Sequence, residues 1–250
     1  MEGSGNTVLI TGGSAGIGLA LAETFLSERN DVIICGRTKS TLDKVQERLP
    51  KINTIIADVS TKVGRESLTT EITNRFPKLN ILVNNAGMYS IKDFKESNYI
   101  SNLEAQLATN LVAPMALIQQ LLNILEKNSE AIVVNITSGY VYIPSAQSSA
   151  YSASKSGLRA ITQGLRFKLR NSNVRVVEVI PPAVDTQMNR GKNIALMSSE
   201  LFAQKVFKGL VNGQDEIVVG VSKVAKLLSR LAPKFGFNKM NRDEGKQRKR

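Results

Sequence analysis

Histidine is absent from this chain of 250 residues, and cysteine occurs once, as Cys35. Zinc sites draw their ligands mainly from these two residue types, so the composition argues against a zinc-dependent catalyst and predicts no metal site. One cysteine excludes an internal disulfide and indicates a reducing compartment. Acid–base chemistry near neutral pH is therefore left to Tyr, Lys, Asp, Glu or this single thiol.

Long apolar runs and acidic residues are also scarce. We find no uninterrupted apolar run of spanning length and no secretory leader in the polar residues 1–6, so we expect a soluble cytoplasmic protein. Lys and Arg number 33 against 21 Asp and Glu, which gives a net charge of +12. Residues 221–250 carry +8 of this charge, so the basic character belongs mostly to the tail.

Short β-branched runs alternate with helical patterns along the chain, which indicates βαβ units. The predicted strands cover 7–11, 31–35, 52–57, 79–83, 131–136, 174–180 and 216–219, and the predicted helices cover 16–29, 38–49, 60–76, 98–126, 150–171 and 198–211. We therefore predict the α/β class, with a doubly wound parallel sheet of about seven strands and helices on both faces. Residues 1–220 are expected to form one domain, and 221–250 a basic helix and tail that is not a separate domain.

A glycine-rich loop, TGGSAGIG at residues 11–18, lies between the first strand and the first helix. Gly12 permits a sharp turn, Gly16 a close approach of backbone to a pyrophosphate, and Gly18 close packing of the helix on the sheet. The helix N-terminus offers free amides to phosphate. The alternative is a glycine-rich turn without a ligand, and the spacing differs from the commoner Gly-x-Gly-x2-Gly.

The end of the second strand bears on the choice of nucleotide. An acid at this point binds the ribose 2′-hydroxyl in many NAD-dependent proteins, but this chain has Gly36 followed by Arg37. A guanidinium suits a 2′-phosphate, so NADP(H) is favoured over NAD(H). Alternatively, Arg37 is only a solvated surface residue, since the glycine loop contains no second basic residue.

Further motifs follow in a fixed order: Asp58-Val59, Asn84-Asn85-Ala86-Gly87, Asn110, Ser138 and Tyr151-x3-Lys155. With the glycine loop, they make residues 5–220 resemble the short-chain dehydrogenase/reductase family. This resemblance implies a single-domain Rossmann fold and a nicotinamide-dependent oxidoreductase. It implies cofactor contacts from Gly12, Ser14, Gly16, Ile17, Gly18, Arg37, Asp58, Val59, Asn85, Ala86, Gly87, Tyr151, Lys155, Pro181, Val184 and Thr186.

Four residues are the predicted catalytic set. Tyr151 and Lys155 lie one helical turn apart, so the ammonium is expected to lower the pKa of the phenol and make it a general acid and base. Ser138 is expected to bind the substrate oxygen. The resemblance adds that Lys155 holds the nicotinamide ribose and that Asn110 holds a water of a proton relay. Taken singly, each residue has an ordinary structural interpretation; the combination favours catalysis.

The chain departs from the family after the sixth strand, where Pro182 stands in place of the usual glycine. Proline removes a backbone donor and restricts the turn, so the nicotinamide loop is expected to differ locally. This turn favours the alternative of a nucleotide-binding regulatory module without turnover. A further alternative is a peripheral membrane component recruited by the basic tail.

The expected partners are a small substrate and further copies of the chain. An apolar and aromatic pocket suits a neutral carbonyl or alcohol with an apolar flank. Its expected lining is Met88, Tyr89, Ser90, Tyr140, Val141, Tyr142, Ile143, Ala183 and Met188. The family commonly pairs through helices that correspond to 98–126 and 150–171, which predicts a homodimer or homotetramer.

The tail has its own pattern. Val221, Val224, Leu227, Leu228 and Leu231 fall on one helical face beside three cations, Pro233 is expected to end the helix, and 234–250 to be loose. Three interpretations stay open: the helix packs on the body or a partner subunit, it lies on an anionic membrane, or its charge is only solvated. Binding of nucleic acid is disfavoured. The second half also resembles bacterial oxidoreductases associated with D-alanylation of teichoic acids.

Overall fold

The computed structural model describes residues 1–189 and 195–242. Its centre is a seven-stranded sheet in the order β3-β2-β1-β4-β5-β6-β7, and every pairing is parallel. The strands are β1 Thr7–Thr11, β2 Asp31–Gly36, β3 Asn53–Ile56, β4 Leu79–Asn84, β5 Ala131–Ile136, β6 Val174–Ile180 and β7 Glu216–Val218. The predicted class and strand number are confirmed.

Helices cover both faces of this sheet. They are α1 Gly16–Ser27, α2 Lys39–Arg48, α3 Lys62–Arg75, α4 Tyr99–Leu107, α5 Ala113–Leu125, α6 Ser149–Lys168, α7 Ser199–Val211, α8 Ser222–Leu231 and α9 Pro233–Met240. A hydrophobic core lies on each face of the sheet, and alternate residues of β1 point into one core or the other. Val8 and Ile10 pack with α1, α2 and α7, whereas Leu9 packs with α3 and α5. This period of two is that of a strand buried on both faces.

The predicted long helix at 98–126 is interrupted. A π-helical segment, Ala108–Val112, joins α4 to α5 and contains Asn110. Within the described ranges, the helical stretch Tyr99–Leu125, taken across the π-helical segment, has the length and mean hydropathy of a membrane-spanning helix. Leu117, Leu121 and Leu125 are nonetheless buried against the sheet, as in a core helix.

The tail is more ordered than the sequence suggested. Helix α8 ends before Pro233, as predicted, but the proline begins α9 instead of a loose segment. Proline is well suited to the first position of a helix because its missing amide would be unpaired there. The expectation of a loose chain was therefore wrong for residues 234–240, and residues 243–250 lie outside the described part.

Parallel strands direct the predicted site residues to one edge. The glycine loop follows β1, Asn85 follows β4, Ser138 follows β5 and Pro181 follows β6. Loops at the carboxyl ends of such a sheet form its usual ligand crevice, on both sides of the point where the strand order reverses. Here that point lies between β1 and β4.

Candidate active site

The glycine loop has the backbone that a phosphate-binding turn requires. Gly12 and Gly16 adopt positive φ angles of 64° and 53°. A Cβ on Gly18 would lie 2.3 Å from the Gly12 carbonyl oxygen, and one on Gly16 would lie 2.9 Å from Cγ2 of Thr186. Side chains here would fill the cradle, and α1 begins at Gly16 with its first amides available for an anion. These residues fit a dinucleotide pyrophosphate.

Thr11, which the sequence analysis did not single out, joins this loop to the segment after β4. Its Oγ1 accepts hydrogen bonds from the amides of Asn85 and Ala86, both at 3.0 Å. The Asn85 side chain returns a hydrogen bond to the Thr11 carbonyl at 2.9 Å. Asn85, Ala86 and Gly87 are thus held beside the glycine loop, where the resemblance places cofactor contacts.

The adenine end of the crevice brings together the ends of β2 and β3. Ser14 Oγ lies 3.4 Å from the position of a Cβ on Gly36, and the neighbouring Arg37 is exposed. The Asp58 carboxylate accepts hydrogen bonds from the amide and hydroxyl of Ser60, at 3.0 and 2.7 Å.

Val59 is fixed by a residue that the sequence analysis missed. The buried Arg65 donates from Nη1 to the Val59 carbonyl at 2.8 Å. Its position in the first turns of α3, six residues after Val59, gave no motif by which it would have been found.

Tyr151 and Ser138 meet at the other end of the crevice. The Ser138 hydroxyl lies close enough to the phenol to lower the pKa of Tyr151, and Ser138 Oγ accepts a hydrogen bond from the Tyr140 amide at 3.3 Å. Tyr89 and Tyr140 pack edge-to-face on the ring of Tyr151, with centroids 5.0 and 6.1 Å away. The phenol thus lies in an aromatic setting beside the one hydroxyl predicted to bind substrate.

Lys155 is buried with 3% of its surface exposed. Its Nζ donates to the Ile136 carbonyl at 2.9 Å and lies 5.9 Å from the centroid of the Tyr151 ring. Burial lowers the pKa of Lys155 to about 8, because the charged form loses hydration. A Cβ on Gly87 would lie 3.8 Å from Nζ, so the lysine faces the predicted cofactor loop.

The expected lowering of the Tyr151 pKa by Lys155 is not found. Burial raises the pKa of Tyr151 above its usual value, and the hydrogen bond with Ser138 opposes the rise only in part. The physical reason is that the ammonium is directed to the Ile136 carbonyl, whereas the phenol has lost its hydration. At neutral pH Tyr151 is therefore a neutral phenol, the form that a general acid needs.

Asn110 is buried in the π-helical segment, and all three of its side-chain bonds are to protein. Oδ1 accepts from the Met88 amide at 2.8 Å, and Nδ2 donates to the Met88 carbonyl at 2.8 Å and to Ser154 Oγ at 2.9 Å. The residue therefore ties the loop after β4 to α6, which carries Tyr151 and Lys155. The water relay through Asn110 stays a prediction.

The loop after β6 keeps its predicted residues close to the crevice despite Pro182. The Pro181 carbonyl accepts from Ser222 Oγ at 2.8 Å. Val184 is buried and bridges to Met197, and Thr186 lies over Gly16. Ser222, 41 residues away in sequence, had no signal in the sequence.

Two of the predicted pocket residues lie elsewhere. The Tyr142 hydroxyl donates to Glu216 at 3.1 Å, and Ile143 is buried near Gly236 of α9. Tyr142 therefore contacts β7 and Ile143 contacts α9, and neither side chain lines the crevice. Tyr89 and Tyr140, which pack on Tyr151, remain as aromatic lining.

Comparison with known proteins identifies the family of this chain. A family model described as short chain dehydrogenase matches residues 6–196. The chain belongs to the short-chain dehydrogenase family. It is 40% identical over 226 residues to "Uncharacterized oxidoreductase DltE" of Bacillus subtilis, covering 87% of this chain and 89% of that protein. This match also confirms the resemblance to the bacterial oxidoreductases associated with D-alanylation of teichoic acids.

Solved structures share the fold of this short-chain dehydrogenase. A Burkholderia cenocepacia short chain dehydrogenase in complex with NADP has a TM-score of 0.86 at 21% identity, covering 96% of this chain and 99% of its own. A Burkholderia phymatum family member in complex with NAD has a TM-score of 0.85 at 20% identity, covering 99% and 96%. The family assignment makes the chain an oxidoreductase of the nicotinamide-dependent type.

Proposed function

We propose that the chain is an NADP(H)-dependent oxidoreductase that reduces a carbonyl compound with Tyr151 as the general acid. The observation that carries the proposal is the proximity of Ser138 to the buried Tyr151, one helical turn from the buried Lys155. These groups lie beside loops that fit a dinucleotide. The bound nicotinamide supplies the hydride.

The residues of the chain handle the substrate oxygen and its proton. Ser138 and Tyr151 place two hydroxyls where a carbonyl oxygen can accept hydrogen bonds, and Tyr151 Oη gives up its proton as the oxygen becomes an alcohol. Tyr151 is protonated at neutral pH, the form that a proton donor needs in the reductive direction. Lys155, with a pKa of about 8, stays largely protonated below that pH.

The preference for NADP(H) rests on the end of β2. Gly36 stands where a ribose-binding acid would be, with Ser14 Oγ 3.4 Å from the position of its Cβ, and the next residue, Arg37, is exposed, so its guanidinium is available to a 2′-phosphate. Solved relatives carry either nucleotide, NADP in the Burkholderia cenocepacia protein and NAD in the Burkholderia phymatum protein. For this chain, the proposed preference for NADP(H) over NAD(H) therefore depends on Arg37.

The proposed substrate is a neutral ketone or aldehyde with an apolar flank. Tyr89 and Tyr140 present aromatic surface around the Tyr151 hydroxyl, and such surface favours apolar groups. A relative with 27% identity, glucose 1-dehydrogenase 2 of Bacillus subtilis, is named for a sugar substrate. A polar sugar is thus the competing class in a substrate screen.

Consumption of NADPH with a panel of ketones, aldehydes and sugars tests the function. We expect turnover with at least one apolar carbonyl, and loss of about 10²- to 10⁴-fold in Tyr151→Phe with unchanged affinity for NADPH. Undiminished turnover in Tyr151→Phe would reject the role of the phenol.

A nucleotide-binding module without turnover is the second candidate, and Pro182 is the feature that favours it. The residue lies in the loop that carries Thr186 to the glycine loop. Tight NADPH binding without turnover across the whole panel, in the wild type and in Pro182→Gly, would support this alternative over the reductase.

A further inference from the structure

Helix α8 is amphipathic, but its apolar side faces outward. Ser222 is buried, and Ala225, Lys226, Leu228 and Ser229 are partly buried. Leu228, predicted on the common apolar face, instead packs toward Gly236 of α9. Polar contacts join α8 to the body: Ser222 donates to the Pro181 carbonyl, and Lys226 pairs with Glu216. Apart from Leu228, the large apolar side chains of α8 therefore face outward, which is the reverse of an ordinary surface helix.

The outward side forms a continuous apolar stripe. Val221, Val224, Leu227 and Leu231 are 70, 57, 58 and 74% exposed, and they recur at helical spacing. Phe235 of α9, 59% exposed, extends the apolar surface. We call these five residues the tail stripe. Single exposed apolar residues need no explanation, but a stripe on two successive helices marks a contact surface.

Cations flank the tail stripe. Residues 221–242 contain six Lys and Arg and no acid. Lys226 is paired with Glu216, whereas Lys223, Arg230 and Lys234 are exposed beside the stripe. An apolar stripe with cations along its edge is the composition of a helix that lies in the interface of an anionic bilayer.

The charge also argues against a second copy of the chain as the occupant. A twofold contact would place the same surface on both subunits and bring their cations together without anions from 221–242 to neutralise them. A bilayer of anionic lipids supplies the opposite charge and an apolar layer at once. We propose that the tail stripe and its flanking cations bind the surface of an anionic lipid bilayer.

The contact would lie close to the catalytic segment. Ser222 Oγ lies 3.0 Å from the position of a Cβ on Gly139, the residue after Ser138. The Asn241 side chain, which follows α9, bonds to the Pro144 carbonyl and the Ala146 amide. The two tail helices are thus built directly on the segment from Ser138 to Ala146, so bilayer binding would hold this part of the site next to the lipid.

Vesicle sedimentation of the full chain tests the proposal. The probes are vesicles of phosphatidylcholine alone and of equimolar phosphatidylcholine and phosphatidylglycerol, at low and high salt. We expect binding to the anionic vesicles only, weakened by salt. Leu227→Asp should remove it, and a Lys223→Gln/Arg230→Gln double variant should weaken it about thirtyfold, from about 1 kcal/mol per cation.

Matched control variants distinguish binding through the tail stripe from non-specific binding through other exposed apolar or charged residues. Val63 of α3 is 75% exposed, so Val63→Asp makes the same chemical change far from the tail. Lys51→Gln/Lys127→Gln removes two exposed charges elsewhere. Both controls should bind anionic vesicles as the wild type does. Equal loss in control and test variants, or binding to neutral vesicles alone, would overturn the proposal.

Sedimentation velocity of the same variants excludes the competing occupant. Leu227→Asp should leave the oligomeric state and the affinity for NADPH unchanged. If it alters the oligomeric state while vesicle binding persists, the tail stripe is a subunit interface and the proposal is wrong. Because no catalytic residue is changed, this result is independent of whether the proposed reductase activity is found.

Discussion

Burial shifts the proton equilibria of Tyr151 and Lys155 in opposite directions, since each is held in its neutral form more strongly than in water. The sequence showed that the two side chains share a helical face, but spacing along a helix does not reveal hydration. The position of Nζ depends on the Ile136 carbonyl, which is 19 residues away in sequence. The expected stabilisation of a phenolate by Lys155 therefore had to be corrected from the structure.

Lys155 makes a testable contribution to stability. The folded pKa of about 8 lies below the ordinary value of 10.5, so a charged lysine opposes folding at pH values below 8. Between pH 8 and 10.5 the unfolded chain binds the extra proton, and the free energy of unfolding rises with pH. Comparison of wild type with Lys155→Met by urea denaturation should show the wild type gaining about 2 kcal/mol relative to the variant between about pH 8 and 10.

The measurement stops at about pH 10 because Tyr151 changes the free energy of unfolding in the opposite direction above that pH. Its raised pKa means that, above pH 10, the unfolded state loses a proton that the folded state keeps, so stability falls there. A difference between wild type and Lys155→Met that stays constant up to pH 10 would show that the lysine is not buried as described.

Arg37 shows what local sequence can predict at the residue scale. Its position after β2 follows from the strand pattern alone, and in the structure it is exposed directly after the last residue of that strand. Tyr142 shows the opposite case. Its partner Glu216 is 74 residues away, and the short helix after Ser138 decides which side chains face the crevice.

At the scale of elements, β6 and α6 are joined by a partly buried ionic network that extends through β7 to α8. Arg159 of α6 pairs with Glu178 at 2.7 Å and with Glu216 at 2.9 Å, and Glu216 also holds Lys226. Glu178 is fully buried and accepts a hydrogen bond from Thr137, which precedes Ser138. Burial raises the pKa of Glu178, which Arg159 partly offsets.

We expect Arg159→Met to destabilise the fold by about 3–5 kcal/mol, because it leaves the Glu178 carboxylate buried without its partner. Urea denaturation measures this loss. Arg48→Met is the matched control, since it breaks an exposed pair with Glu23 and should cost less than about 1 kcal/mol. Equal, small losses in both variants would show that the network does not hold these elements together.

The elements themselves were largely predictable, and the exceptions have physical causes. The β-branched runs gave all seven strands, because a parallel sheet covered on both faces needs continuous apolar segments. The π-helical segment was not predictable, since it aligns Asn110 with Met88 and Ser154 from distant parts of the chain. Helix α9 was missed because Pro233 starts a helix as readily as it ends one.

At the scale of the whole molecule, exposed apolar residues remain on the helices that the resemblance assigns to subunit pairing. Ile100, Val112, Ile161 and Phe167 are 59, 49, 40 and 67% exposed and lie on α4, the π-helical segment and α6. We propose that this surface forms a homodimer or homotetramer. These residues lie on other elements than the tail stripe.

Sedimentation velocity tests the assembly. The wild type should sediment as a dimer or tetramer, and Ile161→Asp/Phe167→Asp should raise its dissociation constant at least about tenfold, by placing carboxylates in an apolar contact. Val63→Asp on α3 is the control and should assemble like the wild type. A monomeric wild type, or equal effects of the two changes, would contradict this arrangement.

The most direct test of the proposed function is a calorimetric titration of the protein with NADPH and NADH, in the wild type and in Arg37→Ala. The proposed function predicts tighter binding of NADPH, with a preference that falls about tenfold or more in Arg37→Ala, because charge-assisted hydrogen bonds to the 2′-phosphate are lost. Affinity for NADH should stay unchanged in the variant. Binding of neither nucleotide to the wild type would contradict the oxidoreductase assignment, and an Arg37→Ala variant that still prefers NADPH would contradict the role given to Arg37.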